Sequence, residues 1–250
     1  MKASTIKNSI LTFISFILII VLWKLASLLV GSEIIIPSPE STFNSLASIV
    51  ASESFLRIIF ETIVRVLEAF LIACIAGIVV GLITGFSKII DSLFKPFLVI
   101  IMSTPVISFI LIALIWFKSG EIPIFVAFLV IFPIITTNVS EGIKNIDLKL
   151  VQMTKAYRIK RIRVLTEVYL PSILSYLVAG ISTAVGIGWK VVITTEVLSQ
   201  PKFSIGTSLD TAKVYLETSN VFAWTIIAIL LSFFFEKLVR LVESQIFKWR

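Results

Sequence analysis

Histidine is absent from this 250-residue chain, and cysteine occurs only once, as Cys74. A single cysteine excludes a disulfide bond within the chain, and the shortage of thiol and imidazole ligands argues against a metal site of that kind. Charged residues are also scarce, at 15% of the chain, whereas hydrophobic residues make up 58%. Soluble domains contain about 25% charged and about 45–50% apolar residues, so this composition is not typical of a water-soluble enzyme.

Long apolar blocks separated by short polar stretches account for the mean hydropathy of +1.06. At about 1.5 Å per residue, such blocks can cross a hydrocarbon core of about 30 Å as helices. The first block follows two lysines, as in a signal peptide, but no A-x-A-like cleavage site comes after it, so we interpret it as a retained helix. We predict an all-α polytopic membrane bundle of about six transmembrane helices, forming a single domain over residues 1–250, with blocks at 9–30, 58–86, 93–117, 122–139, 173–195 and 221–242.

Basic residues lie between the apolar blocks and predict the orientation of the chain. Segment 144–167 contains seven lysines and arginines against two acidic residues. The positive-inside rule therefore places this segment in the cytoplasm. By alternation, the N-terminus, the turn at 88–95 and the C-terminus, with Lys248 and Arg250, are also cytoplasmic. The net charge of +7 is explained in this way and does not indicate nucleic-acid binding.

Small residues recur at four-residue spacing in two of the predicted helices. Such stripes allow helix backbones to approach closely in a membrane, so we expect them to face other helices. The spacing is compatible with ordinary packing within one subunit and also with a pathway or a subunit interface. The stripes are Ala73, Gly77, Gly81 and Gly85 in one helix, and Gly180, Ala184 and Gly188 in the other. Prolines at 96, 105, 123 and 133 predict helix starts, kinks or breaks.

The polar segment 144–167 has its own helical pattern. Asn145 or Asp147 can cap a short helix that begins near Leu148, with apolar residues alternating with lysines. Pro171 suits the first turn of the following membrane helix. The segment is either a docking surface that projects from the membrane or a solvated basic loop.

This segment resembles the signature loop of binding-protein-dependent ABC importer permeases. That signature has Glu-Ala-Ala, a Gly four residues after the second Ala, and an Ile-x-Leu-Pro ending. Val168-Tyr169-Leu170-Pro171 matches the ending, Gln152-Met153-Thr154 stands at the Glu-Ala-Ala positions, and Arg158 stands at the glycine. The front half of the motif is thus degenerate, and Arg158 adopts a left-handed conformation less readily than glycine.

Other stretches extend the resemblance over nearly the whole chain. IIIPSPESTFNSL, GIVVGLITGFS, KPFLVIIMSTPVISFILIALIWF and FAWTIIAILLSFFFEKL are similar to the sulfonate, taurine and nitrate branch of these permeases. The resemblance implies a type I ABC importer permease fold in the bacterial cytoplasmic membrane, with a core region at 58–242. It implies a homodimer that works with two ATPase subunits and an extracytoplasmic solute-binding protein.

The resemblance also implies how the subunits divide the work. The chain has no G-x-x-x-x-G-K-[ST] phosphate-binding loop, so ATP and Mg²⁺ are expected on the partner ATPase and no cofactor on this chain. In the family, the signature loop forms a coupling helix that sits in a groove of the ATPase and drives alternating access. The residues carried over to this role are Asp147, Leu148, Leu150, Val151, Gln152, Met153, Thr154, Ala156, Tyr157, Arg158, Arg161, Leu170 and Pro171.

Ionisable residues near the apolar blocks are further candidates, because charges in lipid are costly and usually face protein or water. Lys190 could present a positive charge to an anionic substrate at the outer mouth of a pathway, or it could reach the interface or pair with an acid on another helix. Glu61, Arg65 and Glu68 have the spacing of an ion cluster within one helix. The candidate pathway or gate residues are Met102, Pro105, Gly186, Trp189, Lys190 and Glu196.

The outer segment before the last apolar block predicts a short amphipathic helix over 208–216, after Gly206. A binding protein would dock on such a surface, and Asp210, Lys213 and Glu217 are the candidate contacts. A solvated loop helix fits the pattern equally well.

Three function classes remain to be compared. The first is the importer permease for a small anionic or zwitterionic solute such as a sulfonate, taurine or nitrate, with bicarbonate or a vitamin precursor as alternatives. The second is a transporter driven by an ion gradient, which would be expected to show repeated halves or acids at midplane depth. The third is a membrane-embedded enzyme, for which the chain offers no nucleophile motif or clustered acids.

Overall fold

The computed structural model describes residues 2–246, with side chains described at all of these except 2–10, 13, 242, 243, 245 and 246. Regular secondary structure in this part of the chain is entirely helical. The helices are α1 (Lys2–Val30), α2 (Pro39–Val50), α3 (Phe55–Phe86), α4 (Lys88–Ser103), α5 (Val106–Trp116), α6 (Ile122–Lys144), α7 (Leu148–Ala156), α8 (Arg161–Val164), α9 (Leu170–Ser199), α10 (Ile205–Val214) and α11 (Thr218–Ile246), with a π turn at Leu165–Tyr169.

Helices occupy all six predicted apolar blocks. Among the described residues, four helical segments are long and apolar enough to cross a membrane alone: α3, α6, Arg161–Ser199 and Thr218–Leu241. The pair formed by α4 and α5 adds a fifth span if it is counted as one. The apolar stretch Ile14–Val30 of α1 is shorter. The predicted all-helical polytopic architecture is therefore confirmed. Lys248 and Arg250, which were cited for a cytoplasmic C-terminus, lie outside the described residues.

The third predicted block is not one straight helix. Helices α4 and α5 are bent by 94° at Thr104 and Pro105. Proline disfavours helical backbone in the residue before it, and Thr104 accordingly has ψ 129°. The prediction of a turn at 88–95 is also wrong, because these residues form the first half of α4, which Ser87 caps through a bond from the Ile90 N–H.

The core of the bundle is a layer in which α6 lies between α3 and α9. On one side, Gly77, Gly81 and Gly85 of α3 pack against Ile135, Val139 and Ile143 of α6. On the other side, Gly180 and Gly188 of α9 pack against Asn138 and Ile131 of α6. Both predicted stripes therefore face another helix, and it is the same helix.

The order of these contacts shows the direction of each helix. Residue numbers rise together along the α3–α6 seam, so these two helices run parallel, whereas they run in opposite directions along the α6–α9 seam. The chain between α3 and α6 must therefore return along the bundle. The Lys144 Nζ lies 2.8 Å from the Asp91 Oδ1, which places the start of α4 beside the end of α6. This geometry indicates that α4 and α5 together form a broken span.

Helix α2 was not predicted, although its start has clear signals. The Ser38 hydroxyl accepts a hydrogen bond from the Ser41 N–H, Pro39 occupies the first turn, and Glu40 lies in the same turn. Lys24 of α1 forms an ion pair with Glu40 at 2.8 Å. The Trp23 indole N–H donates to the Pro37 carbonyl at 3.0 Å, so two contacts hold the start of α2 against α1.

The two ends of the bundle carry one short helix each. Helix α7 follows α6 at one end, which is called the α7 end below, and α10 lies at the opposite end, the α10 end. Helix α10 begins at Ile205 rather than after Gly206, because the Ser204 hydroxyl caps it through the Thr207 N–H. The predicted amphipathic helix at 208–216 is thus confirmed as a helix but is shifted by about one turn.

Candidate functional site

Helix α7 begins where the sequence predicts. Asp147 is the N-cap, and its carboxylate accepts a hydrogen bond from the Lys149 N–H at 2.8 Å. Only Asn145, Ile146 and Asp147 separate α7 from α6. This short connection keeps the start of α7 close to the end of α6.

The turn after α7 is held by the backbone although no glycine is present. Arg158 has φ 51°, in the left-handed region that the sequence argued against for this residue. The Arg158 N–H donates to the Lys155 carbonyl, and the Ile159 N–H donates to the Thr154 carbonyl at 2.9 Å. These two bonds satisfy carbonyls at the end of the helix and offset the conformational cost of about 1–2 kcal/mol for a side chain in this region.

One face of α7 is apolar and exposed. Leu150, Met153 and Tyr157 have exposed fractions of 47%, 53% and 76%, and their spacing of three and four residues places them on a single face. Leu148 is also exposed, whereas Val151 is half-buried and Thr154 is buried against the rest of the molecule. The helix therefore presents three large apolar side chains outward at the α7 end.

The return from α7 into the membrane passes through α8 and the π turn. Pro171 lies in the first turn of α9, as predicted, where its missing N–H is tolerated. The Tyr169 ring packs against Phe86 at the end of α3, with centroids 5.4 Å apart. A cavity of about 500 Å³ between this region and α7 is lined by Arg158, Arg161 and other residues. The segment is thus packed onto the bundle through α3 as well as through α9.

A buried ion cluster organises the α10 end. The Arg65 Nη1 lies 2.9 Å from the Glu196 Oε1, and Glu196 has no exposed surface. The second carboxylate oxygen of Glu196 accepts from the Thr62 hydroxyl and from the Gly206 N–H, each at 3.1 Å. The predicted ion cluster of Glu61, Arg65 and Glu68 within α3 is therefore only a minor part of the arrangement. The Arg65 Nη2 lies 3.6 Å from the Glu61 carboxylate, and Glu68 is exposed.

The same arginine also holds the chain between α9 and α10. Its guanidinium donates to the carbonyls of Lys202 and Phe203, each at 3.3 Å. The Ile205 N–H donates to the Thr62 hydroxyl at 3.1 Å. One buried cluster therefore holds α3, α9 and the start of α10 together. The sequence did not predict this cluster.

The candidate pathway residues lie at different places in the bundle. Trp189 is buried and donates its indole N–H to the Ala228 carbonyl of α11 at 3.1 Å. Lys190 is exposed and lines a cavity of about 430 Å³ between α9 and α11, which Thr194, Thr225 and Glu236 also line. Gly186 is half-buried, with open space where a Cβ would be, Pro105 is exposed at the start of α5, and Met102 lies near the end of α4. The structure brings only Trp189 and Lys190 of this set together, in the lining of the cavity between α9 and α11, and the roles of all these residues remain predictions.

The candidate contacts for a binding protein lie together at the α10 end. The Asp210 carboxylate accepts from the Lys213 ammonium at 2.7 Å and from the Gln200 side-chain amide at 2.6 Å. The hydrogen bond from Lys213 lowers the pKa of Asp210, which is therefore charged near neutral pH. Glu217 is exposed and accepts from the Asn220 amide. Within residues 2–246, no group of three or more potential metal ligands was found.

Together these features define a multi-pass helical membrane protein with a short helix that projects at one end. Residues 77–248 match the family described as binding-protein-dependent transport system inner membrane component, and this is more than half of the chain. The chain therefore belongs to that family, which is a family of inner-membrane transport permeases and not of enzymes.

Curated relatives agree with this assignment over most of their length. A putative aliphatic sulfonates transport permease of Bacillus subtilis is 26% identical over 93% of this chain and 84% of its own. A taurine transport system permease of Escherichia coli is 23% identical over 93% of this chain and 86% of its own. A bicarbonate transport system permease of Synechococcus elongatus is 27% identical over 58% of this chain and 52% of its own. The sequence-based assignment to the sulfonate, taurine and nitrate branch is confirmed at the level of the family and its named relatives.

Proposed function

We propose that this chain forms the membrane pathway of an ATP-driven importer for a small sulfonate, taurine-like solute or bicarbonate. Two copies would form the pathway, two ATPase subunits would bind ATP and Mg²⁺, and an external binding protein would deliver the solute. In this arrangement the α7 end faces the cytoplasm and the α10 end faces the binding protein. A vitamin precursor remains an alternative substrate.

The exposed apolar face of α7 is the observation that carries the proposal. Leu150, Met153 and Tyr157 lie on a helix that projects at the predicted cytoplasmic end, where lipid cannot cover them. A contiguous apolar face in water marks a contact with another protein. An amphipathic helix that lies in a groove of its partner is a recurrent mode of recognition. An ATPase that receives this face would cover these three side chains.

The connections of α7 explain how such a partner could act on the bundle. Helix α7 is joined to α6 by three residues and to α9 through α8 and the π turn. Helix α6 in turn packs between α3 and α9 along the glycine seams. A displacement of α7 by ATP-driven closure of the ATPase would therefore move the layer formed by α3, α6 and α9. Two alternative arrangements of this layer would open the pathway to one side of the membrane or to the other, which is alternating access.

Met153→Asp should weaken copurification of the permease with the ATPase of the same transport system by at least tenfold. Loss of a buried Met side chain costs about 1.5–3 kcal/mol, and about 1.4 kcal/mol corresponds to a factor of ten. The measurement is the amount of ATPase recovered with tagged permease in mild detergent, titrated over ATPase concentration. Met153 is preferable to Val151, because Val151 is half-buried and an acid there would also disturb the loop itself.

Ile162→Asp is the matched control, because Ile162 is an exposed apolar residue of α8 that lies outside the apolar face of α7. It adds the same charge and removes a similar side chain, and recovery should stay within about twofold of the native chain. Equal losses with both substitutions, or no loss with Met153→Asp, would contradict docking through α7.

A further inference from the structure

Lys190 lies near the middle of the membrane-spanning part of the bundle. Gly188, two residues before it in α9, packs against Ile131 near the centre of α6. The Trp189 indole N–H donates to the carbonyl of Ala228, which is close to the centre of the apolar span of α11. At about 1.5 Å per residue, Lys190 is therefore within about one helical turn of mid-depth. This is deeper than the outer mouth expected from its position in the sequence.

A lysine at this depth needs a polar surrounding inside the membrane. The nearer edge of a hydrocarbon core of about 30 Å is still about 10 Å away, which is farther than its stem of four carbons reaches. Charged residues at such depths are costly in lipid, and they almost always face protein or a water-filled space. Lys190 is nevertheless exposed on the surface of the chain.

The exposed face of α9 around Lys190 differs from the apolar surface elsewhere in the bundle. Its exposed residues recur at spacings of four, three and four, which places them on one face: Thr183, Ile187, Lys190 and Thr194. Both threonine hydroxyls donate to carbonyls of their own helix, so the lysine is the group that still needs a partner. At residues 69–86 of α3, by contrast, every exposed residue is apolar: Leu71, Ile72, Ile75, Val79, Ile83 and Phe86. The face of α3 suits lipid, whereas the face of α9 suits a water-filled space.

Lys190 has no counter-ion within the described part of the chain. Its ammonium group forms no ion pair or hydrogen bond there. Glu236 lines the same cavity, but it lies about 12 Å farther toward the α7 end than Ala228 along α11. Its carboxylate is also paired with Arg240. The positive charge of Lys190 is therefore left for an anion from outside the subunit.

We propose that Lys190 binds the anionic group of the imported solute at mid-depth in the pathway, which α9 lines with this face. A sulfonate or bicarbonate would accept charge-assisted hydrogen bonds from the ammonium group. The same charge would repel cations, so the pathway itself, and not only the binding protein, would select for anions. This inference rests on the proposed function, because the anion must enter a pathway through the membrane to reach this depth.

Thiol labelling beside Lys190 tests the site on the purified chain in nanodiscs, without ATPase or binding protein. Thr194 is exposed one turn after Lys190, so Thr194→Cys places a thiol near the ammonium group. Cys74→Ala removes the native thiol and provides the background. The two reagents are sulfonatoethyl methanethiosulfonate, which is anionic, and trimethylammonioethyl methanethiosulfonate, which is cationic. Both modify thiols in water and not in lipid.

Lys190→Gln should lower the ratio of the anionic to the cationic labelling rate by about tenfold at low ionic strength. At about 6 Å in water, one positive charge raises the local concentration of an anion about threefold and lowers that of a cation by the same factor. Lys190→Arg keeps the charge and should keep the ratio within about twofold. An unchanged ratio in Lys190→Gln would show that another group, such as a carboxylate of a second copy, neutralises Lys190, and would overturn the proposal.

Leu230→Cys is the matched control for a position that faces lipid. Leu230 is 60% exposed, lies two residues after Ala228 at about the depth of Lys190, and does not line the cavity beside Lys190. Both reagents should label it about tenfold more slowly than Thr194→Cys, because a thiol in lipid is not in contact with water. Equally slow labelling at the two positions would show that this face of α9 is covered, and would also overturn the proposal.

Uptake by vesicles that contain the permease, ATPase and binding protein tests the effect on transport. The solute is whichever of taurine, ethanesulfonate and bicarbonate the purified binding protein retains. Lys190→Gln should lower uptake about tenfold, the effect of one lost charge-assisted hydrogen bond, whereas Lys190→Arg should keep it within about threefold. Lys118→Gln is the control, because Lys118 is an exposed lysine between α5 and α6, and uptake should stay within about twofold.

The outcomes separate this inference from the proposed function. Equal uptake by Lys190→Gln and Lys118→Gln would contradict a role for Lys190 in the pathway. Labelling needs no ATPase, and copurification of the ATPase does not involve Lys190, so either proposal can fail alone.

Discussion

Glu196→Ala should lower the free energy of unfolding by about 3–5 kcal/mol, because it leaves the Arg65 guanidinium buried without its main counter-ion. The Arg65 side chain is only 9% exposed, and its Nη1 lies 2.9 Å from the Glu196 carboxylate. The same substitution removes the acceptor for the Thr62 hydroxyl and the Gly206 N–H. The α10 end would therefore loosen, since α3, α9 and the start of α10 meet at this carboxylate.

Thermal and denaturant unfolding of the purified chain in detergent measures this loss. Glu61→Ala is the control, because Glu61 is 39% exposed and lies 3.6 Å from Arg65, so its removal should cost less than about 1 kcal/mol. Replacing both partners, as Arg65→Met with Glu196→Leu, should recover part of the loss, because no buried charge is then left unpaired. A Glu196→Ala effect no larger than that of Glu61→Ala would show that the cluster does not hold this end together.

Gly81→Ala should destabilise the chain by about 1–3 kcal/mol, because the added methyl group has no space in the α3–α6 seam. A Cβ at this position would lie 2.7 Å from the Val139 Cβ and 2.8 Å from the Thr136 carbonyl oxygen. Neither neighbour can move freely, since one is backbone and the other is a β-branched side chain packed in the core. The helices would have to separate along this seam.

Gly186→Ala is the matched control for stability. Gly186 is also inside a helix, but a Cβ there has no heavy atom within 4 Å. Alanine has the higher helix propensity, so this substitution should leave stability unchanged or raise it by up to about 1 kcal/mol. The two variants are compared by the same unfolding measurement. Equal destabilisation by both would show that crowding in the α3–α6 seam does not cause the loss of stability in Gly81→Ala.

Features that depend on local sequence were predictable. Hydropathy located the apolar helices because each block is continuous, and the cap at Asp147 depends only on its own residue type and its neighbours. The bend at Thr104 and Pro105 was predicted only as one of several alternatives at the proline, a helix start, a kink or a break, since the block is apolar on both sides of it. Helix α2 was missed although Ser38, Pro39 and Glu40 are ordinary signals for a helix start.

Features that depend on distant residues were not predictable. Glu196 lies 131 residues from Arg65, and each was assigned by its local surroundings, one to a pathway and the other to a cluster within its helix. A buried charge needs a counter-ion, but this rule could not pair Glu196 with Arg65, because the sequence did not show that the two side chains are buried.

Helix α7 lies close along the chain to α6, the central helix of the bundle. Lys144 is the last residue of α6, and the apolar helix α7 begins four residues later. Docking of an ATPase on α7 would therefore act on α6. This arrangement would allow release of a solute at the predicted cytoplasmic end to respond to the state of the ATPase.

Uptake by vesicles that contain the permease, its ATPase and its binding protein tests the central claim most directly. The solute should be one that the purified binding protein retains, so that the result does not depend on a guess about substrate. Uptake is predicted to begin only when ATP and Mg²⁺ reach the ATPase, to stop with Met153→Asp and to continue with Ile162→Asp. Uptake by the permease alone, driven by a proton or sodium gradient without ATP, would contradict the account.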